Sequence, residues 1–202
     1  MQINPMRITN FNRTLDELQA FWLFCIMVAG KNADNTVKVI SRLLSKIPPG
    51  YTPFQGLYAL GEIGLQNALV AARAGQYGRI FRAIRESLAL DLTTVCVEDL
   101  ERVFGVGPKT ARFFLLHSRP GMRVAVLDTH IKKWMNYHLA GVPETLTRKQ
   151  YLQFEAVFLE LAEAYFPGVA IADVDLLLWC EYSGRFDSSD AYPAPELPAE
   201  VV

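Results

Sequence analysis

The chain has 202 residues, of which 51% are hydrophobic and 20% are charged, a composition that supports one sizeable core or two small lobes. Its formal net charge of −1 excludes a global basic field, so any binding of nucleic acid must use a local positive patch and backbone amides. Cys25, Cys96 and Cys180 lie far apart without a CxxC pair, which argues against a metal centre or disulfide framework and predicts buried, reduced thiols.

Helical patterns follow one another along most of the chain. Thr14 and Glu17 have the spacing of a capping box, and the apolar run that follows predicts a helix over residues 18–29. Asp34 or Asn35 is predicted to cap the second helix, which carries apolar residues at helical spacing. Further helices are predicted over residues 57–63, 64–74 and 77–88, from residues 97, 108 and 129, over residues 148–165 with Thr147 as the cap, and over residues 171–182.

The most informative segment lies between residues 100 and 134. An amphipathic pattern ends at Phe104, the tight turn GVG follows, and a second helix is predicted to begin at Pro108. Both glycines of the turn are free to adopt positive φ, and Pro108 suits a first helical turn because it has no N–H to leave unpaired. A hairpin between two helices, with bare amides at a helix N-terminus, is a phosphate-binding device.

The string GVGPKTA, followed by VLDTHI, resembles the helix-hairpin-helix, Gly/Pro-rich loop and aspartate signature of the endonuclease III-like DNA glycosylases. Residues 21–39 are placed like the early apolar helix of this superfamily and the polar turn that helps to hold a flipped base. Residues 75–80 resemble its Gly-x-Tyr helix start, and residues 173–185 resemble the closing helix of the archaeal-type 8-oxoguanine DNA glycosylases. The resemblance covers residues 15–186.

The chain departs from the superfamily pattern in two places. The four-cysteine iron–sulfur loop of many endonuclease III relatives is missing, as it is in the 8-oxoguanine branches. The archaeal-type enzymes also tend to end in a lysine near the base pocket, whereas Arg185 and Phe186 stand in that region here and an extra tail follows.

The resemblance implies an all-α fold with two helical lobes, a helix-hairpin-helix motif and a cleft between the lobes. Residues 1–186 are expected to form one glycosylase unit of two interleaved lobes, with the hairpin and catalytic segment at residues 97–134. Residues 187–202 are polar and proline-rich and form a tail. Residues 123–127 have the only strand-like pattern, which we interpret as a short link between helices.

Lys109 stands where bifunctional members of the superfamily carry their nucleophile, and Asp128 is the aspartate of the signature. To attack the sugar C1′ the amine must be neutral, and we expect burial beside apolar groups and a helix N-terminus to favour that form. Asp128 is expected to stabilise positive charge on the sugar and to shuttle protons to or from Lys109. The alternatives are a Lys109 that only pairs with a phosphate and an Asp128 that only caps the helix from Thr129.

The resemblance assigns DNA contact to two loops. The hairpin glycines form either a phosphate grip or a plain tight turn, and the full GVGPKTA string favours the grip. The polar turn between the first two helices either fills the gap left by a flipped base or is an ordinary capping turn. The residues assigned to DNA contact are Gly105, Val106, Gly107, Thr110, Lys31 and Asn32. Four further residues are assigned to a local positive patch, and for each of them a solvated helix face is the alternative: Lys132, Lys133, Arg112 and Arg119.

A base pocket is assigned by similarity to the closing helix and the aspartate motif. Its predicted residues are Trp179, Asp173, Asp175 and His130. A tryptophan on an apolar helix is usually part of the core, so stacking of Trp179 on a base is implied by the resemblance alone. His130 is expected to be a hydrogen-bonding group at a helix start rather than a base.

The resemblance implies a base-excision-repair DNA glycosylase with AP lyase activity, which removes 8-oxoguanine by base flipping and a lysine Schiff base. No metal or organic cofactor is expected, and the expected partner is double-stranded DNA with a damaged base, bound by a monomer. One alternative is a helix-hairpin-helix protein that grips DNA without catalysis. A second alternative is a glycosylase-fold enzyme that acts on modified thymine in phage DNA.

The longest apolar run, residues 21–30, is too short to span a bilayer. The N-terminus lacks the order of charge, apolar run and small-residue cleavage site that marks a signal peptide. We therefore expect a cytoplasmic, nucleoid-associated protein that is neither secreted nor bound to a membrane.

Overall fold

The computed structural model describes residues 3–139 and 141–184, which form α-helices and no strand, so the all-α prediction is confirmed. In chain order the helices are α1 (Leu15–Val28), α2 (Ala33–Leu44), α3 (Pro53–Ala59), α4 (Gly61–Ala72), α5 (Tyr77–Ser87), α6 (Val97–Glu101), α7 (Pro108–Ser118), α8 (Thr129–His138), α9 (Arg148–Tyr165) and α10 (Ile171–Ser183). The predicted tail and the pair Arg185-Phe186 lie outside the described residues.

The chain divides into two compact units, Met1–Ser118 and Arg119–Val202. The first unit contains α1 to α7 and therefore the whole helical hairpin. The second unit contains α8 to α10. Lys109 belongs to the first unit and Asp128 to the second, so each residue is positioned by its own set of contacts.

The core of the first unit is built around α1, whose residues 18–27 are all buried. A helix that is apolar all round belongs at the centre of its domain, and α1 packs against α2, α3, α5 and α7. The Phe114 ring of α7 lies 5.6 Å from that of Phe21 and 5.2 Å from that of Trp22. The Trp22 indole N–H donates to the Ser87 hydroxyl at 2.7 Å, so the one polar atom of this large side chain is satisfied.

The second unit is organised by α10, which packs against α8 and α9. Trp134 of α8 is buried, and its ring contacts those of Phe158 at 5.8 Å and Tyr165 at 5.9 Å, both on α9. His138 lies one turn along α8, 4.8 Å from Trp134, and burial lowers its pKa. These aromatic contacts bind α8, and hence the residues at its N-terminus, to the longest helix of the unit.

The caps predicted for α1 and α9, Thr14 and Thr147, are the observed ones. Thr14 with Glu17 forms a capping box at α1, and Thr147 with Gln150 forms one at α9. The predicted cap of α2 is wrong. Asn32, not Asp34 or Asn35, is the N-cap, and its Oδ1 accepts from the Asn35 amide at 3.0 Å.

The boundary between α3 and α4 also differs from the prediction. The first of these helices begins at Pro53, because Thr52 and Gln55 form a capping box around a proline at the first helical position. Leu60 separates the two helices and Gly61, with φ +64°, begins α4, whereas the sequence pattern placed the break between residues 63 and 64. The spacing of apolar residues does not show at which residue a left-handed backbone conformation interrupts the helical pattern.

Burial of the three cysteines is confirmed for two of them. Cys25 and Cys180 are buried, whereas Cys96 is exposed. Cys96 precedes α6 as its N-cap residue, and its Sγ lies 3.1 Å from Asp99 Oδ2. It therefore belongs to a helix start at the surface and not to the apolar pattern beside it.

Candidate nucleic-acid interface and active site

The loop of the helical hairpin, residues 102–107, joins α6 to α7. Gly105 has φ +75°, a left-handed conformation that favours glycine. Gly107 does not have a positive φ, so the expectation that both glycines use this freedom is wrong for Gly107. A Cβ added at Gly107 would meet no atom within 4 Å, whereas one at Gly105 would lie 2.8 Å from Arg79 Cγ.

The loop presents backbone amides at the start of α7. The Val106 amide donates to Val103 O at 3.0 Å, and the Ala111 amide to Gly107 O at 3.2 Å. Among residues 3–139 and 141–184, no hydrogen bond uses the amides of Gly105, Gly107, Lys109 or Thr110. Because Pro108 has no N–H, this stretch offers four donors at a helix N-terminus, where an anion is favoured.

Helix α5 fixes the position of this loop through the side chains of Arg79 and Glu86. Arg79 donates to Gly105 O at 3.4 Å and to Ile26 O, near the end of α1, at 3.0 Å. Glu86 accepts from the Phe104 amide at 2.6 Å and from Arg82 at 2.7 Å. The Arg82 guanidinium in turn lies 4.0 Å from the centre of the Phe104 ring. The residues just before the free amides are therefore fixed by contacts 18 to 26 positions away in sequence.

The two helices of the hairpin are joined by a buried ion pair. Arg112 NH1 lies 2.8 Å from Glu101 Oε1, and only 6% and 10% of the two side chains are exposed. Arg112 therefore faces Glu101 within the hairpin, and its assignment to a DNA-facing positive patch is wrong. A buried pair of this kind fixes one helix against the other, because breaking it is strongly destabilising.

The C-terminal end of α7 is anchored to the segment before α1. His117 O accepts from the Asn10 amide at 3.1 Å and from the Arg13 guanidinium at 2.7 Å. The His117 ring nitrogen Nδ1 lies 2.8 Å from Thr9 Oγ1. Burial lowers the pKa of Arg13, which lies over the Phe21 ring at 3.9 Å. Helix α7 is thus held at both ends, which leaves its first turn in a defined position.

Lys109 lies in that first turn and its side chain is exposed. The expected burial beside apolar groups is therefore wrong for the chain alone. Thr110, which follows it, is half-buried. The exposed Lys109 amine stands on the same turn as the free amides, so one feature of the fold supplies both an anion grip and a nucleophile of suitable type.

The turn between α1 and α2 contains the other residues assigned to DNA. Asn32 O accepts from both the amide and the hydroxyl of Thr36, at 3.1 and 2.9 Å, in addition to the side-chain cap described above. These are the bonds of a capping turn. Lys31 Nζ donates to Ala74 O at 2.6 Å, so its side chain is directed to the loop between α4 and α5.

In the second unit, Asp128 is the N-cap of α8 and is half-buried. Its Oδ1 accepts from the amides of His130 and Ile131 at 2.8 and 2.9 Å, which confirms the capping role. No hydrogen bond of Asp128 Oδ2 occurs within the described part of the chain. One carboxylate oxygen orients the group, and the other has its lone pairs available for a reacting centre.

The link that leads to Asp128 is fixed by α9. The Ala125 amide donates to Glu155 Oε1 at 2.8 Å, and the Ala125 carbonyl accepts from the Tyr151 hydroxyl at 2.8 Å. The same hydroxyl accepts from the Leu127 amide at 3.0 Å. Tyr151 and Glu155 are both buried, so a strand-like link without strand partners obtains its hydrogen bonds from two side chains.

Lysines follow Asp128 on α8. Lys132 Nζ donates to Glu144 O, whereas Lys133 is exposed with Nζ 5.8 Å from the Tyr182 ring of α10. Lys132 and Lys133 thus remain two cations on α8, and their part in a DNA-facing patch stays a prediction.

Helix α10 carries three residues of the predicted pocket. Asp175 and Trp179 are four positions apart and share a face, whereas Asp173 is turned about 200° from Asp175 at about 100° per residue. Asp175 is buried, and Asp173 and Trp179 are half-buried. The helix therefore brings Asp175 and Trp179 together and places Asp173 elsewhere.

Several positioning residues were not predicted from the sequence. Arg79, Glu86, Tyr151 and Glu155 fix the hairpin loop and the link before Asp128 through distant contacts. Only Tyr151 and Glu155 could have been predicted as positioning residues from the sequence, because they are polar residues one turn apart on an amphipathic helix. Buried polar groups at such positions require partners.

Residues 3–139 and 141–184 contain no group of three or more histidine, cysteine or acidic side chains arranged to hold a metal ion. In the same part of the chain, every helix falls short of the length and apolar character that crossing a bilayer requires.

The chain is similar in sequence to several known proteins. No protein-family model matches it. The 8-oxoguanine DNA glycosylase/AP lyase of Thermoplasma volcanium is 33% identical over 172 residues, which cover 80% of this chain and 78% of the relative. The same enzyme of Methanocaldococcus jannaschii is 25% identical over 190 residues, 89% and 88% of the two chains. Against the relative from Thermoplasma acidophilum, 34% identical, the match spans only 40% of that protein's length.

Solved structures resemble the fold. A Methanocaldococcus jannaschii 8-oxoguanine glycosylase/lyase, crystallised with a 15mer DNA containing 8-oxoguanine, has a TM-score of 0.64 at 17% identity and covers 89% of this chain and 87% of its own. The 8-oxoguanine DNA glycosylase of Thermotoga maritima has a TM-score of 0.64 at 23% identity, with 85% and 82% covered. At these identities the likeness shows a common helical fold.

Proposed function

Because the chain belongs to the 8-oxoguanine DNA glycosylase/AP lyase family, we propose that it excises 8-oxoguanine from duplex DNA and nicks the strand at the resulting site. The observation that carries the proposal is the first turn of α7. There an exposed amine, Lys109, follows directly on backbone amides that no other described residue uses. In this proposal the enzyme acts as a monomer on DNA in the nucleoid.

The first step of the proposed mechanism is binding and base flipping. The amides of Gly105, Gly107 and Thr110 bind a backbone phosphate with the positive end of the α7 dipole behind them. Val106, which lies between the two glycines, is buried. The damaged nucleotide is rotated out of the stack, which costs a few kcal/mol of unstacking energy. The turn at Asn32 braces the gap that remains.

The second step is attack at the sugar. Lys109 Nζ, once deprotonated, forms a bond to C1′ while the bond from C1′ to the base nitrogen breaks and the base leaves with a proton. Opening of the sugar ring then gives a Schiff base between Lys109 and C1′.

The third step is elimination. Removal of a proton from C2′ breaks the bond between C3′ and its phosphate oxygen, which cuts the strand 3′ to the lesion. Asp128 stabilises the positive charge that develops on the sugar and carries protons through Oδ2, while Oδ1 remains in the helix cap. Water then releases Lys109 from the Schiff base.

Selection of the oxidised base requires an acceptor for the N7–H that guanine lacks. As this acceptor we propose Asp175, which shares a face of α10 with Trp179, and in this proposal the Trp179 ring stacks on the flipped base. A site built around one such hydrogen bond discriminates strongly, because the wrong base leaves a buried polar group unpaired.

The test is single-turnover excision from duplexes that contain 8-oxoguanine, guanine, thymine glycol or uracil. We expect 8-oxoguanine to be excised fastest and Trp179→Ala to lose most of that rate. Tyr58→Ala is the matched control, since its ring is 76% exposed on α3 in the first unit, and it should keep the wild-type rate. Faster excision of thymine glycol or uracil would contradict the proposed substrate even if Lys109 proves to be the nucleophile.

A further inference from the structure

Two cations lie at the loop between α4 and α5, beside the hairpin. Lys31 Nζ donates to Ala74 O at 2.6 Å. Arg79 donates to Gln76 Oε1 at 2.8 Å as well as to Ile26 O and Gly105 O. Both side chains are therefore tied to the same short loop, and Arg79 also touches the residue that begins the run of free amides.

In the part of the chain that the structure describes, neither cation has a counter-ion. Within the described residues no carboxylate lies within 4.0 Å of Lys31 Nζ or of the Arg79 guanidinium, and all their hydrogen-bond acceptors are neutral. Partial burial lowers the pKa of Lys31, and the nearby charge of Arg79 lowers it further. Burial also lowers the pKa of Arg79. The fold thus holds two neighbouring positive charges at a cost that an anion would offset.

Helix ends account for only part of this arrangement. Ile26 lies in the last turn of α1 and Ala74 follows the end of α4, so the negative ends of two helix dipoles face the cations. A helix end carries about half a unit charge, which does not balance two full charges. Lys31 also retains two N–H donors beyond its bond to Ala74, and Arg79 has five donors for three acceptors.

We propose that Lys31 and Arg79 bind one phosphate of the DNA backbone, next to the phosphate held by the hairpin amides. Arg79 positions the site, because its bonds to Gly105 O and Ile26 O connect the hairpin loop to the end of α1. Lys31 then serves as a backbone ligand and not as a filler of the base gap. The inference rests on the proposed function only in that the bound anion is DNA.

The experiment measures affinity against salt for a short duplex that contains a tetrahydrofuran abasic analogue. This analogue has no aldehyde and cannot react with Lys109, so the measurement is independent of catalysis. For the variant Lys31→Gln, we expect the slope of log affinity against log salt to become shallower by about 0.9, the value for one phosphate contact. Lys31→Arg should keep the wild-type slope.

Lys46→Gln is the matched control. It makes the same charge change at an exposed lysine beyond the other end of α2, about 18 Å along the axis of this 12-residue helix. Its slope should equal that of the wild type. Arg79→Gln should lose at least as much slope as Lys31→Gln, and Arg79→Lys should not fully restore it, because one ammonium group cannot make the three bonds through which Arg79 positions the site.

An unchanged slope in Lys31→Gln, accompanied by a lower melting temperature, would overturn the proposal and leave Lys31 as a tether of the α4 end. The proposed glycosylase function is tested separately by reaction on damaged DNA. A chain that shows the slope change and no excision would retain the phosphate site and lose the proposed function.

Discussion

Substitution by alanine should lower the stability of the protein at one of the two hairpin glycines and not at the other. In Gly105→Ala the backbone keeps a left-handed φ of +75°, which costs a non-glycine residue about 1–2 kcal/mol. The new Cβ would lie 2.8 Å from Arg79 Cγ and 3.0 Å from Cδ, so Arg79 must move and weaken its bonds to Gly105 O and Ile26 O. With about 0.5–1.5 kcal/mol for each of these bonds, we expect a total loss of about 2–5 kcal/mol.

Thermal unfolding followed by circular dichroism measures this loss. About 3 kcal/mol corresponds to a fall in Tm of roughly 6–12 °C for a chain of this size. Gly107→Ala is the control, since its Cβ meets no atom within 4 Å and its φ is not positive, and its Tm should change little. Its effect should appear in DNA affinity, because the methyl group is added beside a free amide. Equal falls in Tm for the two variants would refute the reasoning.

Three further predictions concern the second unit, the hairpin and the charge of the surface. Asp128→Asn should keep the α8 cap and lower the excision rate by about 10²–10³, whereas a rate within about threefold of wild type would contradict its role. Glu101→Ala should lower the free energy of unfolding by about 3–5 kcal/mol, since it breaks the buried ion pair with Arg112, while Glu163→Ala, from an exposed pair, should change it by under about 1 kcal/mol in the same urea titration. The wild-type salt slope should lie at roughly −2 to −5, and a slope near −10 would indicate a large basic surface.

The sequence predicted those parts of the fold that depend on neighbours in the chain. The capping boxes at Thr14 and Thr147 use side chains three residues apart, and the starts of α9 and α10 fall at the predicted residues. The N-cap position of Asp128 is confirmed for the same reason, since its acceptors and donors lie within three residues. Hydrogen bonds between neighbours in the chain require a particular sequence pattern, so the pattern predicts these bonds without knowledge of the fold.

The features that were missed depend on contacts between distant residues. Gly105 and Gly107 look alike in sequence, and only the packing of Arg79 against one of them distinguishes their conformations. Arg112 appeared as a surface cation, because the burial of its partner Glu101 arises when α6 folds onto α7. The exposure of Lys109 likewise depends on where the first turn of α7 lies in the folded unit.

The most direct test of the account is borohydride trapping on a duplex that contains 8-oxoguanine. Reduction converts a Schiff base into a stable covalent bond, so the wild-type chain should give a protein–DNA adduct. Lys109→Gln should give no adduct and no base release while it binds the tetrahydrofuran duplex with near wild-type affinity, and Lys46→Gln should be trapped like the wild type. An adduct or undiminished base release in Lys109→Gln would contradict the assignment of Lys109 as the nucleophile.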